Sequence, residues 1–214
     1  MDIHGKPRNV SWTTLSATAF AGSNQIKLDK AVDWQVNEEI VITTTSYTAT
    51  DTEVMAIQAI SADRLTLTLN GSLLYNHVSF VETLTTGKTV RIAAAVGLLS
   101  RNVKIIGAEY DGQDSDLYGM TMLVSDYSAL NSDGILMYYK GYARLSDVEF
   151  IHPGQFFRGT DDDATYGIII SNLGPYNYSR PTYVRSCSFH HGFSAAIGIL
   201  ASNSIPIENN VFYR

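Results

Sequence analysis

Apolar and polar residues alternate along much of the first 95 positions of the chain. The clearest example is Leu65-Thr66-Leu67-Thr68-Leu69, and a period of two is that of a strand with one buried face. The same alternation is seen at Ile26/Leu28, Ile40/Ile42, Val54/Ala56 and Val90/Ile92. Turn-forming segments such as Asn70-Gly71 separate these stretches. Residues 1–95 are therefore predicted to form a small antiparallel β-barrel or sandwich.

Helical patterns are absent from the sequence. No window carries an apolar stripe at helical spacing for three turns, and the residues that pack well on pleated surfaces, Thr, Val, Ile and Tyr, are plentiful. The predicted fold class is all-β.

The pattern changes at about residue 96, where hairpin signals give way to a short repeated motif. An apolar residue, two polar residues, a small or polar residue, one further residue and a phenylalanine recur at residues 145–150, 184–189 and 207–212. The interval between the first two copies is longer than that between the last two, which indicates one repeat plus an insertion. Regular repetition over intervals of this order is typical of solenoids.

Residues 96–214 are therefore predicted to form a right-handed, single-stranded parallel β-helix without hairpins. Phe150, Phe189 and Phe212 should form one column inside it. Cys187 stands in the motif where Val148 stands, which favours a buried thiol over an intermolecular disulfide. Three asparagines at turn positions are either an amide ladder or ordinary loop residues: Asn102, Asn209 and Asn210.

Charge and sorting signals limit the possible partners and the cellular location of the chain. The net charge of −6 and the absence of any Lys/Arg cluster argue against nucleic acid as a partner. The sequence has neither an apolar run of membrane-spanning length nor a signal peptide, and we expect it to be a piece of a longer chain. Three sequons, at Asn9, Asn70 and Asn177, predict N-glycosylation and an extracellular location.

Five segments of the sequence, at residues 2–7, 10–12, 32–42, 96–103 and 187–191, form a recognisable set. They include Asp33-Trp34 and Leu98-Leu99-Ser100-Arg101-Asn102. Together they resemble the region that follows the G8 domain in the fibrocystin family and in its relatives, the cell-surface hyaluronidases of the transmembrane-protein-two and cell-migration-inducing type. The resemblance implies a very large single-pass, receptor-like glycoprotein at apical, ciliary or stereociliary surfaces.

The resemblance also bears on catalysis. In the hyaluronan-degrading relatives, histidines precede and follow the segment that matches residues 187–191. The corresponding residues here, 166–172 and 196–200, carry Ile, Ser and Leu instead. Glycan cleavage needs an acid/base group or a metal near the glycosidic oxygen, so the departure implies that the chain is not an enzyme.

A ligand groove is the remaining candidate site. His190 and His191 are adjacent, and successive strand residues point to opposite faces, so we expect at most one of them to face a groove. His152, Gln155 and Arg158 on the preceding coil could share it, with a polar loop as the alternative. Tyrosines around the insertion could offer a platform for sugar rings or merely cover sheet faces: Tyr166, Tyr176, Tyr178 and Tyr183.

No cofactor is predicted. Two acidic runs, residues 111–116 and 161–163, raise the question of calcium, but neither has the spacing of a known calcium loop, which favours solvated acidic loops. Three functions remain: a structural or interaction segment of a cell-surface protein, which we prefer, a hyaluronan-binding module, and a hyaluronan-degrading enzyme. The expected partners are extracellular proteins or glycans and the rest of the parent polypeptide, without direct membrane contact.

Overall fold

A computed structural model describes residues 1–156, 165–173 and 181–213. The chain divides into two units, one of residues Arg8–Ser100 and one that joins Met1–Pro7 to Arg101–Arg214. The sequence pattern predicts the division at residue 95. In the structure the boundary follows residue 100, because residues 95–98 form a strand of the first unit. Residues 2–4 belong with the second unit, because they pair with one of its strands.

The chain is almost entirely β-structure. The strands up to residue 100 are β1 (Asp2–His4), β2 (Trp12–Thr14), β3 (Gln25–Lys27), β4 (Glu39–Ile42), β5 (Glu53–Ile60), β6 (Thr66–Leu69), β7 (Ser79–Thr83), β8 (Thr89–Ala93) and β9 (Ala95–Leu98). Those that follow are β10 (Val103–Ile106), β11 (Met122–Ser125), β12 (Tyr127–Leu130), β13 (Leu136–Tyr139), β14 (Arg144–Ser146), β15 (Val148–Ile151), β16 (Ile168–Ser171), β17 (Tyr183–Arg185), β18 (Ser188–His190), β19 (Ile197–Leu200), β20 (Ile207–Glu208) and β21 (Val211–Tyr213). One 3-10 turn (Ala49–Asp51) and one short helix, α1 (Gln113–Asp116), complete the described elements. In the part of the chain that the structure describes, no helix has the length and apolar character of a membrane span.

The unit of residues Arg8–Ser100 is a closed antiparallel barrel. Its sheet has the order β2-β9-β4-β5-β6-β3 and curls until β3 meets β2 again. At this seam the amide of Ser16 donates to the carbonyl of Lys27, and the amide of Asp29 donates to that of Thr14, each at 2.9 Å. β7 and β8 form a separate hairpin.

The barrel encloses a core around Trp34, which is fully buried and donates its indole N–H to the carbonyl of Val10 at 2.6 Å. The alternation predicted at Ile26/Leu28 and Ile40/Ile42 is confirmed, since all four residues are buried. The strands predicted at the two other pairs are also present, as β5 and β8, but these residues do not face the core. In β5 the residues packed on the core are Met55 and Ile57 rather than Val54 and Ala56, and Val90/Ile92 lie exposed in the β7–β8 hairpin.

The second unit is a parallel β-helix, as predicted. Three parallel sheets have the orders β1-β14-β17-β20, β10-β15-β18-β21 and β11-β16-β19, so that each full coil gives one strand to each sheet. The barrel residues are inserted in the chain between the first two strands of the first coil. At that corner a Cβ on Gly5 would lie 1.9 Å from the carbonyl oxygen of Asp147, so only glycine can occupy the position.

The predicted phenylalanine column is confirmed. The ring centroids of Phe150 and Phe189 are 4.6 Å apart with an interplanar angle of 3°, and those of Phe189 and Phe212 are 5.1 Å apart at 12°. Beside them Leu145, Val184 and Ile207 are in register on successive coils. Such stacking buries on each coil the apolar surface that a single coil leaves exposed.

Cys187 is a buried free thiol beside this column, as predicted. It stands in register between Val148 and Asn210, whose side-chain oxygen accepts the Cys187 amide at 2.8 Å. The amide ladder is absent, because Asp147 and Ser186 separate Asn102 from Asn209 along their column and Asn210 belongs to the neighbouring one.

One expectation about the β-helix was wrong, since the region does contain a hairpin. β12 and β13 pair in antiparallel fashion, with Tyr127 opposite Tyr139 and Leu130 opposite Leu136. The turn is fixed by Asn131, whose amide donates to the carbonyl of Ile135 and whose side-chain oxygen accepts two backbone amides. We call residues 127–139 the tyrosine hairpin.

Candidate functional site

The corners of the β-helix are residues whose backbone is left-handed. His152 and His191, which follow β15 and β18, both have φ of +55°. Non-glycine residues adopt this conformation rarely, and here it turns the chain sharply out of the strand. With the neighbouring His190, these two residues form what we call the histidine corner.

The two adjacent histidines do not point away from each other as expected. The Nδ1 atoms of His190 and His191 lie 2.7 Å apart, and their ring centroids are 4.9 Å apart. The strand alternation stops at His190 because the left-handed backbone of His191 rotates its side chain back toward its neighbour. His190 is buried, whereas His191 is exposed.

The buried end of this pair is held by Glu149, a residue that the sequence analysis missed. Its Oε1 lies 3.2 Å from Nε2 of His190 and accepts the Lys104 ammonium at 3.1 Å, while Oε2 accepts the Arg101 amide at 2.7 Å. Burial alone would raise the pKa of Glu149, but the hydrogen bonds from His190, Arg101 and Lys104 outweigh it and lower the pKa. The carboxylate is therefore the stable form.

These contacts fix the proton positions in the neutral pair. Since the carboxylate of Glu149 accepts from Nε2–H of His190, Nδ1 of His190 accepts from Nδ1–H of His191. Nε2 of His191 then carries a lone pair. The arrangement is a carboxylate–imidazole–imidazole chain whose outer end can accept a hydrogen bond or a proton.

His152 lies beside this chain. Its ring packs edge-on against His191 at 6.2 Å and stacks on Phe193 at 5.8 Å. Among the described residues its buried Nδ1 atom has no hydrogen-bond partner. The structure thus brings three of the predicted groove residues together.

Other predicted groove residues have different contacts. The side-chain amide of Gln155 donates to the carbonyl of Gly119 at 2.9 Å, so it holds a loop. Tyr166 packs over Gly198 of β19, where an added Cβ would lie 2.3 Å from its ring. Tyr183 stands on another sheet, with its hydroxyl 3.2 Å from Nε2 of His4. Arg158, Tyr176 and Tyr178 lie outside the described residues.

The sheet formed by the segments in which the resemblance led us to look for histidines, within residues 166–172 and 196–200, is aliphatic. Ile168 pairs with Ile197, Ile170 with Ile199, and Ser171 with Leu200. These side chains offer no acid/base group. In the described part of the β-helix, imidazole groups that could act as an acid or a base are instead found at the histidine corner, which lies at the end of a different sheet.

The acidic runs gain no support as metal sites. Residues 111–116 form a turn and the short helix α1, and the described residues contain no group of three or more His, Cys, Asp or Glu side chains placed to hold a metal ion. Residues 161–163 lie outside the described part of the chain.

Two of the three sequons can be located. Asn9 and Asn70 are both exposed. The side-chain oxygen of Asn70 accepts the amide of Ala56 at 3.1 Å, and a glycan joined through the nitrogen leaves that bond in place. Asn177 lies outside the described residues.

Comparison with known proteins identifies the relatives of this chain, although no protein-family model matches it. It is 43% identical to human fibrocystin-L over 216 residues, covering 100% of the chain and 5% of that protein. It is 26% identical to dog fibrocystin over 213 residues, covering 100% of the chain and 5% of the relative. A G8 domain-containing protein of Dictyostelium discoideum is 31% identical over 217 residues, covering 100% of the chain and 12% of that protein.

Similarity to solved structures is weak. The tailspike protein gp49 of Pseudomonas phage LKA1 matches with a TM-score of 0.32 and 10% identity, covering 99% of the chain and 28% of the tailspike. This similarity carries no functional argument. The sequence relationship is far stronger, and of the two fibrocystins the higher identity is to fibrocystin-L. The predicted resemblance is confirmed: over its whole length the chain is similar to a segment of fibrocystin-L and of fibrocystin, and it spans about 5% of the length of each.

Proposed function

We propose that this chain is a non-catalytic structural segment in the extracellular part of a large cell-surface glycoprotein. The observation that carries the proposal is the phenylalanine column, in which three rings stack through successive coils at 4.6 and 5.1 Å. Side chains in such close contact make a core that resists deformation. Such a stack of coils serves as a stiff spacer and requires no active site.

The surroundings of the column agree with this role. The sheet where the related hyaluronidases carry histidines pairs Ile with Ile, and Asn9 and Asn70 are exposed as glycan acceptors must be. From the family we further propose a single-pass, receptor-like parent protein, with this segment on the extracellular face of the plasma membrane at apical, ciliary or stereociliary surfaces. Its partners would be extracellular proteins or glycans.

The decisive experiment is an assay with high-molecular-weight hyaluronan. The chain, alone and joined to its flanking G8 domain, is incubated with the polymer with and without calcium, and the polymer mass is followed by light scattering. We expect no change in polymer mass and no retention of the protein on a hyaluronan column. Shortening of the polymer would overturn the structural proposal, and retention without shortening would favour a binding module.

A catalytic function is the second candidate, and one observation favours it. The Glu149–His190–His191 chain has the order of groups that orients and activates a general acid/base, with its outer imidazole exposed. If polymer shortening were seen, His191→Gln should abolish it, whereas Tyr47→Phe in an exposed loop of the barrel should not. Shortening that survives His191→Gln would remove the histidine corner from consideration.

A further inference from the structure

The tyrosine hairpin is the most exposed apolar feature of the described β-helix. All four residues of β13, Leu136, Met137, Tyr138 and Tyr139, are exposed, with Tyr138 at 71%. On β12, Tyr127 and Leu130 are 64% and 67% exposed. Contiguous apolar surface of this kind on a protein marks an interaction site.

Among the residues that the structure describes, no third strand pairs with either edge of the hairpin, and β12 and β13 form a two-stranded sheet. An isolated hairpin of two strands is marginally stable in water. Asn131 and Ile135 face each other as a hydrogen-bonded pair. From this pair onward, hydrogen-bonded and non-hydrogen-bonded residue pairs alternate along the hairpin. It follows that the backbone groups of Leu136 and Tyr138 point outward, toward the free edge of β13.

The sequence of the hairpin lacks the features that protect an open edge. Residues 127–139 contain one charged side chain, Asp133 at the turn, and no proline. Natural proteins normally place lysine, proline or a bulge on exposed edge strands to prevent pairing. The edge of β13 therefore has the properties of an edge that hydrogen-bonds to another strand in the functional protein.

We propose that the free edge of β13 pairs with β13 of a second copy of this chain, giving a symmetric four-stranded sheet. The edge is self-complementary, because two antiparallel β13 strands related by a two-fold axis each offer outward N–H and C=O groups. The two turns then point in opposite directions. The Asp133 carboxylates of the two copies are thereby kept apart, and no other charge in residues 127–139 opposes the pairing.

The side chains of β13 supply the apolar part of this interface. Four of them are at least 40% exposed and adjoin the partner strand: Leu136, Met137, Tyr138 and Tyr139. Covering about 100 Å² of each would bury about 800 Å² over both copies, in addition to the paired backbone, which is the size of a weak, reversible interface. A monomer leaves all of this surface in water.

Sedimentation velocity over a dilution series tests the proposal, with Tyr138→Lys as the variant. A lysine on the paired edge places an extra cation from each copy in an interface that offers no anion nearby, and we expect the dissociation constant of the dimer to rise at least about tenfold. Tyr47→Lys, the same change at an exposed loop tyrosine of the barrel, should leave it unchanged. Circular dichroism of each variant verifies that it is folded.

Hydrogen exchange gives a second readout that does not depend on a variant. Amides of residues 134–140 should become protected as the concentration of the wild-type chain rises through the dissociation constant. A chain that is monomeric at every concentration overturns the proposal, whatever other protein it captures. So does a dimer that tolerates Tyr138→Lys but is lost in Phe212→Lys, because that dimer would form through the last coil of the β-helix.

Discussion

The barrel and the β-helix differ in how regularly their strands find partners. In the barrel all pairs are antiparallel, and a partner lies either on the next strand, as for Ile40 and Met55, or far away in the sequence, as for Thr13 and Val96. In the three sheets of the β-helix all pairs are parallel, and each strand pairs with its equivalent on the next coil, as Phe150 does with Phe189. A barrel strand is therefore recognised by its alternation, which does not name its partner, whereas the repeat of a β-helix strand does.

The two units also bury a glutamate in different ways. In the barrel, Glu53 accepts the backbone amides of Leu74 and Tyr75 and lies 2.8 Å from Nε2 of His77. In the β-helix, Glu149 meets Lys104 from one neighbouring coil and His190 from the other. The barrel glutamate organises one loop, whereas the β-helix glutamate ties three successive coils.

The largest expected effect comes from breaking the phenylalanine column. Phe189→Ala should lower the free energy of unfolding of the β-helix by about 3–5 kcal/mol, because the central ring contacts both neighbours and leaves a cavity. Urea unfolding followed by far-ultraviolet circular dichroism measures the loss.

The matched change in the barrel is Leu67→Ala, at a fully buried core position. Both tryptophans of the chain, Trp12 and Trp34, lie in the barrel, so their fluorescence reports its unfolding. We expect Leu67→Ala to shift the fluorescence transition by about 2–5 kcal/mol. We expect Phe189→Ala to leave the fluorescence transition unchanged, because the barrel has its own core. Equal shifts of the fluorescence and dichroism transitions would show that the two units unfold together.

The next effect concerns the cross-coil tie. Glu149→Gln should lower the free energy of unfolding by about 1–3 kcal/mol at neutral pH, because Lys104 and His190 lose a charged acceptor. Denaturant titration at several pH values measures it. Lys104→Gln is the milder control, since the Lys104 ammonium is partly exposed and its loss leaves the other two hydrogen bonds to Glu149 in place.

The pH dependence of this loss has a defined sign. The pKa of Glu149 is lower in the folded chain than the ordinary value of about 4.3 in the unfolded chain. The contribution of Glu149 to the free energy of unfolding is therefore complete at pH values above about 4.3, and it disappears as the pH falls through the pKa of the folded chain. The gap between wild type and Glu149→Gln should shrink only in that acid range, and a gap that shrinks near neutral pH would contradict the assignment.

Sequence patterns predicted the β-helix because its repeat is short and regular. Phe150, Phe189 and Phe212 each close the same short pattern, so their stacking could be inferred from the sequence alone. β1 could not be assigned in this way. Asp2-Ile3-His4 resembles any short strand, and its partner, residues 144–146, lies beyond the whole barrel in the sequence.

The site was less predictable than the fold. Glu149 occupies a strand position that normally faces solvent, and nothing local marks it as buried. The meeting of His190 and His191 depends on one positive φ, which the sequence does not reveal. The tyrosine hairpin, in contrast, had a usable signal that was overlooked: Asn131-Ser132-Asp133-Gly134, a strong turn sequence between two apolar runs.

A smaller effect is expected at Cys187, beside the column. Burial raises the pKa of its thiol to about 11, so the neutral thiol is the native form and should resist alkylation until the β-helix unfolds. Cys187→Ser replaces it with a more polar hydroxyl and should cost about 1–2 kcal/mol. Cys187→Val, which copies Val148 of the preceding coil, is the control. A mass increase on labelling the folded wild type would show that the thiol is accessible.

The smallest effect should have the opposite sign and tests the corners of the β-helix. Ala201 has φ of +46° and is exposed, so its methyl group strains the backbone without packing against a core. Ala201→Gly removes that strain, which exceeds the added entropy of the unfolded glycine, and should raise the free energy of unfolding by up to about 1 kcal/mol. Ala62→Gly, at an exposed turn of the barrel where no positive φ is found, should give no gain. Thermal unfolding of both variants measures the difference, and a loss of stability in Ala201→Gly would show that the corner is held by something other than its backbone conformation.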